Sequence, residues 1–421
     1  MKSILGSERK DWAYIILPFI SGFLMLGIYL FLINVLKLAA FPSILILIII
    51  YSVLFDVNHY FSTYYRVFLD KSYYRENKTW IIPSLTFITI VPMLAFWAVS
   101  SDYFWKDSFL FFTFFRRFVL VLGFYHLVKQ NWGFMAIYKR NAGEKITKIN
   151  WDQLSLLSGS FIPLVLINMI DPLWFPDSEK YLFAPEANDL QYILNYWDKL
   201  AYLCLFFAMF FGLITIFSKR FQYKLPARNM AFYCLGAGIL ILSILKYSAK
   251  DVLTVILGLL IAIFTISLIQ SVRCQLKEKS FNFPKWAVFA TTLILYFGIL
   301  LYPVEGDKSI MVVAITLPHN IQYLAFVPFF SKKQYTSSQK NHGIAKRWSE
   351  RVIMLFITGI IFSVVFELGR IGTVYILPEE YFSLKNTIAV FFVALILHHY
   401  YLDAVIWKFG KDKELSKGIQ D

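Results

Sequence analysis

The chain has 421 residues, of which 58% are hydrophobic and only 16% charged, and it carries a formal net charge of +14. Runs of about twenty residues with few or no charges recur along it, each long enough to cross roughly 30 Å of hydrocarbon as a helix. The composition therefore predicts an all-α, polytopic transmembrane helix bundle. The basic residues fall in short connections rather than on one continuous soluble face, which argues against nucleic acid as a partner and makes the charge a record of orientation.

A basic start through Arg9 and Lys10 leads into an apolar segment from about Trp12 to Ile33 with no small-residue cleavage pattern after it, so this segment is expected to remain as the first span. Further spans are expected near Pro42–Tyr65, Trp80–Val99, Ser108–Val128 and Leu154–Ile170. Beyond a connection rich in Pro, Asp and aromatic residues come Tyr196–Phe217, Asn229–Leu245, Val252–Val272, Trp286–Tyr302, Ile310–Phe330, Val352–Val374 and Asn386–Trp407. Lys and Arg crowd the connections after even-numbered spans, whereas those after odd-numbered spans are acidic or weakly charged. Twelve spans in a single membrane domain, with both termini cytoplasmic and a bacterial inner membrane as the location, satisfy this bias. Cytoplasmic connections are then expected at about 66–79, 129–151, 218–228, 273–285 and 331–351, and an extracytoplasmic one at about 171–195.

This topology makes the histidines informative. His59, His126, His319, His398 and His399 all lie late in even-numbered spans, which places five of the six histidines in the cytoplasmic half of the membrane at similar depth. His342 falls in a basic connection and is expected at the surface. Residues three or four apart share a helix face, so Asp56 belongs with His59, Gln130 with His126, Gln322 and Tyr323 with His319, and Asp403 with His399. Imidazoles and carboxylates gathered from separate helices are the ligand chemistry of non-haem iron or of zinc; haem held between histidines is the third possibility. Asp56 and Asp403 are candidate ligands and, with Tyr323, candidate catalytic groups, while the glutamines suit the orientation of an imidazole through its other nitrogen. His398 and His399 point about 100° apart on an ideal helix, so one can be a ligand and the other a hydrogen-bonding partner. Pro318, just before His319, is expected to break the local helix ladder and free backbone acceptors where the helix lines a cavity.

Arg116 and Arg117 lie midway along the fourth span, and Glu367 with Arg370 away from either edge of the eleventh. Two readings are open. Arg116 or Arg117 can pair with Glu367 to hold the bundle together, or these residues can bind an anionic head group, with Arg66 joining them at the cytoplasmic mouth because it is seven residues after His59. Aromatic residues, 43 Phe and 26 Tyr among them, are dense around the histidines and can wall an apolar tunnel. Cys204, Cys234 and Cys274 lack CxxC spacing and read as packing residues. No P-loop, dinucleotide fingerprint, GxSxG, HExxH or CxxCH stands in a credible context.

The histidine pair in HHYYLD (398–403) resembles the histidine-rich membrane desaturases, hydroxylases and carotenoid-cleaving oxygenases, whose intramembrane or membrane-edge histidines hold iron, although the HxxxH and HxxHH boxes of desaturases are absent. The resemblance implies metal chemistry and nothing finer. The leading expectation is a membrane oxidoreductase holding iron and acting on a lipid or another apolar small molecule, with an electron donor on the cytoplasmic side. The same ligands on zinc could instead activate water as a hydrolase. A secondary transporter of an anionic or lipid-like solute, with titrating His and Asp and anion-binding arginines, is the alternative of a different class.

Overall fold

The computed structural model describes residues 3–99, 105–144, 149–170, 249–278, 280–304, 307–376 and 382–407. Among them the secondary structure is entirely helical. We label the helices α1 (Glu8–Asn34), α2 (Ala40–Leu69), α3 (Lys71–Val99), α4 (Trp105–Asn141), α5 (Trp151–Ile170) and α6 (Ala249–Leu276). The remainder are α7 (Phe283–Leu300), α8 (Ser309–Ser337), the short α9 (Ile344–Glu350), α10 (Val352–Ile376) and α11 (Phe382–Ile406). Eight of the described helices are long and apolar enough to cross a membrane, as an integral membrane protein requires. The expected third and fourth spans, in α3 and α4, are not among those eight, and the expected sixth and seventh spans, like the connections at 171–195 and 218–228, lie outside the described residues.

Several helices run past the apolar segment that predicts them. α3 begins at Lys71 rather than Trp80, and α4 continues through the expected connection to Asn141. Lys, Arg, Gln and Asn favour helix nearly as well as apolar residues do, so the end of the hydrophobic stretch marks where lipid stops and not where the helix stops. The emergent end of α4 is tied down by polar contacts: Lys139 bonds Asp152 at the start of α5, and Lys285 of α7 reaches Glu144 at 2.9 Å. Asp11, buried near the start of α1, accepts hydrogen bonds from the backbone N–H groups of Ile4 and Leu5 and from the Tyr138 hydroxyl, which anchors the N-terminal turn to α4.

The chain forms two compact units, Met1–Pro163 with Ile263–Asp421, and Leu164–Ala262. Every residue of the candidate site belongs to the first. Within it α1 packs against α8, where Pro318 has no N–H to offer the carbonyl of Ala314, four residues earlier. Gly22 faces that carbonyl, and a Cβ there would collide with it and with Leu295. Small residues let membrane helices approach this closely. Gly22→Val is expected to lower stability by about 1–3 kcal/mol through overpacking, seen as a lower thermal midpoint in detergent. Gly27→Val, on the same helix with nothing within 4 Å of its Cβ position, serves as the control and should leave the midpoint near that of the parent.

Candidate metal centre

α2 is regular except at two π-helical turns, Ser52–Asp56 and Tyr65–Leu69, which bracket the stretch carrying His59. Each wide turn shifts the rotational phase of the residues beyond it, a device found often at functional sites. Between the two turns every residue from Val57 to Thr63 is buried, so this segment faces protein all round. His59 and Thr63, four residues apart, both point at the same place.

That place is shared with α4, α8 and α11. His59, His126, His399 and Asp403 each present a ligand atom there, and these four atoms lie within 4.8 Å of one another. Nε2 of His126 and Nε2 of His399 are each 3.6 Å from Oδ2 of Asp403. That separation is near the edge of a tetrahedron with metal bonds of ~2.1 Å, roughly 3.4 Å. His319 stands against the group, its Nε2 being 3.3 Å from Nε2 of His59. The rings pack directly, with centroids 4.4 Å apart for His59 and His399 and 5.1 Å for His126 and His319. No slot for a macrocycle separates them.

Asp403 is held by neutral donors. Its Oδ1 accepts from the hydroxyls of Thr63 at 2.8 Å and Tyr323 at 2.7 Å, and its Oδ2 accepts from the Gln130 amide at 2.9 Å. Trp407 donates its indole N–H to the Tyr323 oxygen at 3.1 Å, which fixes the phenol. Among the described residues no Lys or Arg pairs with this buried carboxylate. Two nitrogens of His399, and one each of His59 and His319, also make no hydrogen bond within the protein although all three side chains are buried. A buried carboxylate without a basic partner, ringed by imidazole nitrogens, is the electrostatic setting of a cation.

The structure separates the sequence-predicted residues. His59, His126, His319, His399, Asp403 and Tyr323 converge. His398 does not: its Nδ1 meets the Tyr64 hydroxyl at 3.3 Å and its Nε2 meets that of Ser84 at 3.2 Å, so α11 turns it away towards α3. The Asp56 carboxylate faces a neighbouring polar group, accepting from Tyr51 at 2.9 Å and Tyr60 at 2.8 Å. Its π-turn has moved it off the face of His59. Gln322 bonds the carbonyl of Ile15 rather than any histidine.

Glu367 accepts from Ser52 at 2.5 Å and pairs with Arg370 at 2.7 Å, which gives it a structural partner within its own helix. The side chains of Arg116 and Arg117 lie outside the described residues. Arg66 is buried under Trp407, 4.5 Å from that ring, and not at an open mouth. His342 is likewise buried rather than on the surface, because α9 folds back and its Nδ1 meets Asp70 at 3.0 Å. Thr63 and Trp407 were missed by sequence reasoning. The i, i+4 spacing from His59 could have found Thr63; nothing local signals Trp407, whose role needs the fold.

No protein-family model, curated protein or solved structure matches this chain. The site is therefore read from its own chemistry. Asp403→Asn puts an amide donor opposite hydroxyl or amide donors already in place, and it is expected to destabilise the chelator-treated protein by about 1–3 kcal/mol, measured as a loss in unfolding free energy.

Proposed function

We propose that this chain is a membrane-embedded iron-dependent oxidoreductase, of the oxygenase, hydroxylase or desaturase type, acting on a lipid or another apolar small molecule. The observation that carries the reading is the buried set of His59, His126, His399 and Asp403 within 4.8 Å, with His319 adjoining. Nitrogen and oxygen donors without thiolate suit iron or zinc, and a fifth donor exceeds the four of a structural zinc tetrahedron, which favours iron. Iron held there would supply dioxygen activation or electron transfer.

The chain's own residues do the rest. Thr63, Tyr323 and Gln130 orient Asp403, leaving Oδ2 towards the imidazoles of His126 and His399. Tyr400 stacks on His126 with centroids 4.7 Å apart, and Tyr60 lies against His399 at 4.8 Å, so aromatic surface excludes water from two sides. An apolar substrate entering from lipid would meet that surface first. We further propose twelve spans, both termini cytoplasmic and a bacterial inner-membrane location, on the alternation of basic and acidic connections. An electron donor would then approach from the cytoplasm.

Purified protein should contain about one equivalent of iron by inductively coupled plasma mass spectrometry, on the expectation that one ion fills one ligand set. His126→Ala, His319→Ala and His399→Ala should each lower occupancy, since losing one ligand typically weakens a site by tenfold or more. His398→Ala should keep parent occupancy. Metal-free protein that is folded and active, or coupled uptake of an unmodified solute by reconstituted vesicles, would contradict the proposal.

The topology is checked separately by labelling engineered cysteines with an impermeant reagent. Positions Asp177 and Glu305 should react from outside, and Asn141 and Ser338 only after the inner face is opened. Labelling of Asn141 from outside would reverse the assignment.

A further inference from the structure

A second polar cluster lies past the metal centre, where the π-turn Tyr65–Leu69 ends α2. Arg66 is only 2% exposed, yet its side chain has a single hydrogen-bond partner, the Gln334 amide oxygen at 2.9 Å from Nη2. Its Nε and Nη1 have none. The rings of Trp407 and Phe330 lie against the guanidinium at 4.5 and 5.2 Å, giving it an apolar, cation–π setting that water does not share.

The surroundings supply further donors but no free counter-charge. Among the described residues no carboxylate pairs with Arg66. Asp70 lies nearby, but its two oxygens are 3.0 Å from His342 Nδ1, and Oδ1 also takes the backbone N–H of Tyr73. Tyr335, 1% exposed, has Arg66 and Asp70 among its charged neighbours; its hydroxyl leans towards the Asp70 carboxylate but makes no hydrogen bond of ordinary length and angle with it. The His342 ring stacks on it with centroids 4.3 Å apart and holds the phenol in place. A guanidinium cannot shed its proton, so a buried one with open N–H groups calls for an acceptor carrying negative charge.

We propose that Arg66 and Tyr335 form a binding site for a single oxyanion, a phosphate or carboxylate group, held by charge-assisted hydrogen bonds from Nε, Nη1 and the phenol. Arginine is the side chain best matched to the planar display of such oxygens. Trp407 covers Arg66 and also bonds Tyr323, so the oxyanion would lie one residue away from the partners of Asp403. The site does not depend on which metal, if any, the histidines hold.

The group can belong to a free anion or to a lipid head group, and the two sources are separable. Full-length protein in detergent would be titrated with inorganic phosphate, and in parallel with phosphatidic acid against phosphatidylcholine, reading the thermal midpoint and the lipid retained in native mass spectrometry. Saturable stabilisation by phosphate assigns a free oxyanion; stabilisation by phosphatidic acid alone assigns a lipid head group. R66Q should abolish the response. If R66Q cannot be purified folded, Y335F takes its place and should weaken binding about tenfold through loss of one charged hydrogen bond. No response to either probe beyond the phosphatidylcholine control overturns the proposal, as does parent-like binding by folded R66Q or, in its place, by Y335F.

Discussion

A carboxylate buried in a membrane protein without a basic partner is expensive, and the position of Asp403 is the constraint around which this bundle is arranged. Three neutral donors, from Thr63, Tyr323 and Gln130, satisfy its oxygens, but they do not cancel its charge. The groups that remain are imidazoles, two of them with Nε2 at 3.6 Å from Oδ2. A proton on Asp403 itself, a proton on a neighbouring histidine or a metal cation would each offset that charge. The His59 ring lies 4.4–6.4 Å from those of His126, His319 and His399, so a cation shared among their nitrogens, as proposed above, would offset the carboxylate charge without a basic side chain.

The irregularities of the fold serve the same end. Two π-turns in α2 let one helix present His59 and Thr63 to the centre while directing Asp56 and Arg66 to separate polar groups. Pro318 sits inside the continuous helix α8 immediately before His319, and Gly22 lets α1 close against the Ala314 carbonyl, to which the proline has no N–H to offer. Such departures reduce local helix stability and persist where surrounding packing enforces them. Asp56 and Glu367 thus have partners of their own away from the four-ligand group, whereas Arg66 bonds only Gln334.

Much of this was legible in the sequence, for identifiable reasons. Apolar runs of spanning length located the eight described helices that are long and apolar enough to cross a membrane, and of the five histidines singled out the structure gathers His59, His126, His319 and His399. The spacing of His399 and Asp403 on one helix face survives in the structure as a 3.6 Å contact. What failed depended on rotational phase or tertiary burial. Asp56 shares a face with His59 only on a regular helix, and the π-turn cancels that regularity. Gln322 has the spacing of a histidine partner but faces α1, where the carbonyl of Ile15 takes it. His342 looked like a surface residue because its neighbours are basic, and its burial against Asp70 and Tyr335 depends on how α9 returns to the bundle.

The central claim is that iron sits among these particular side chains. X-ray absorption at the iron edge of the purified protein tests it most directly, since the edge reports both the element and its neighbours. The predicted result is a shell of about five nitrogen and oxygen atoms near ~2.1 Å, with the outer-shell scattering of several imidazoles and no sulfur. A sulfur shell, a porphyrin pattern or the absence of an iron edge in folded protein would contradict it.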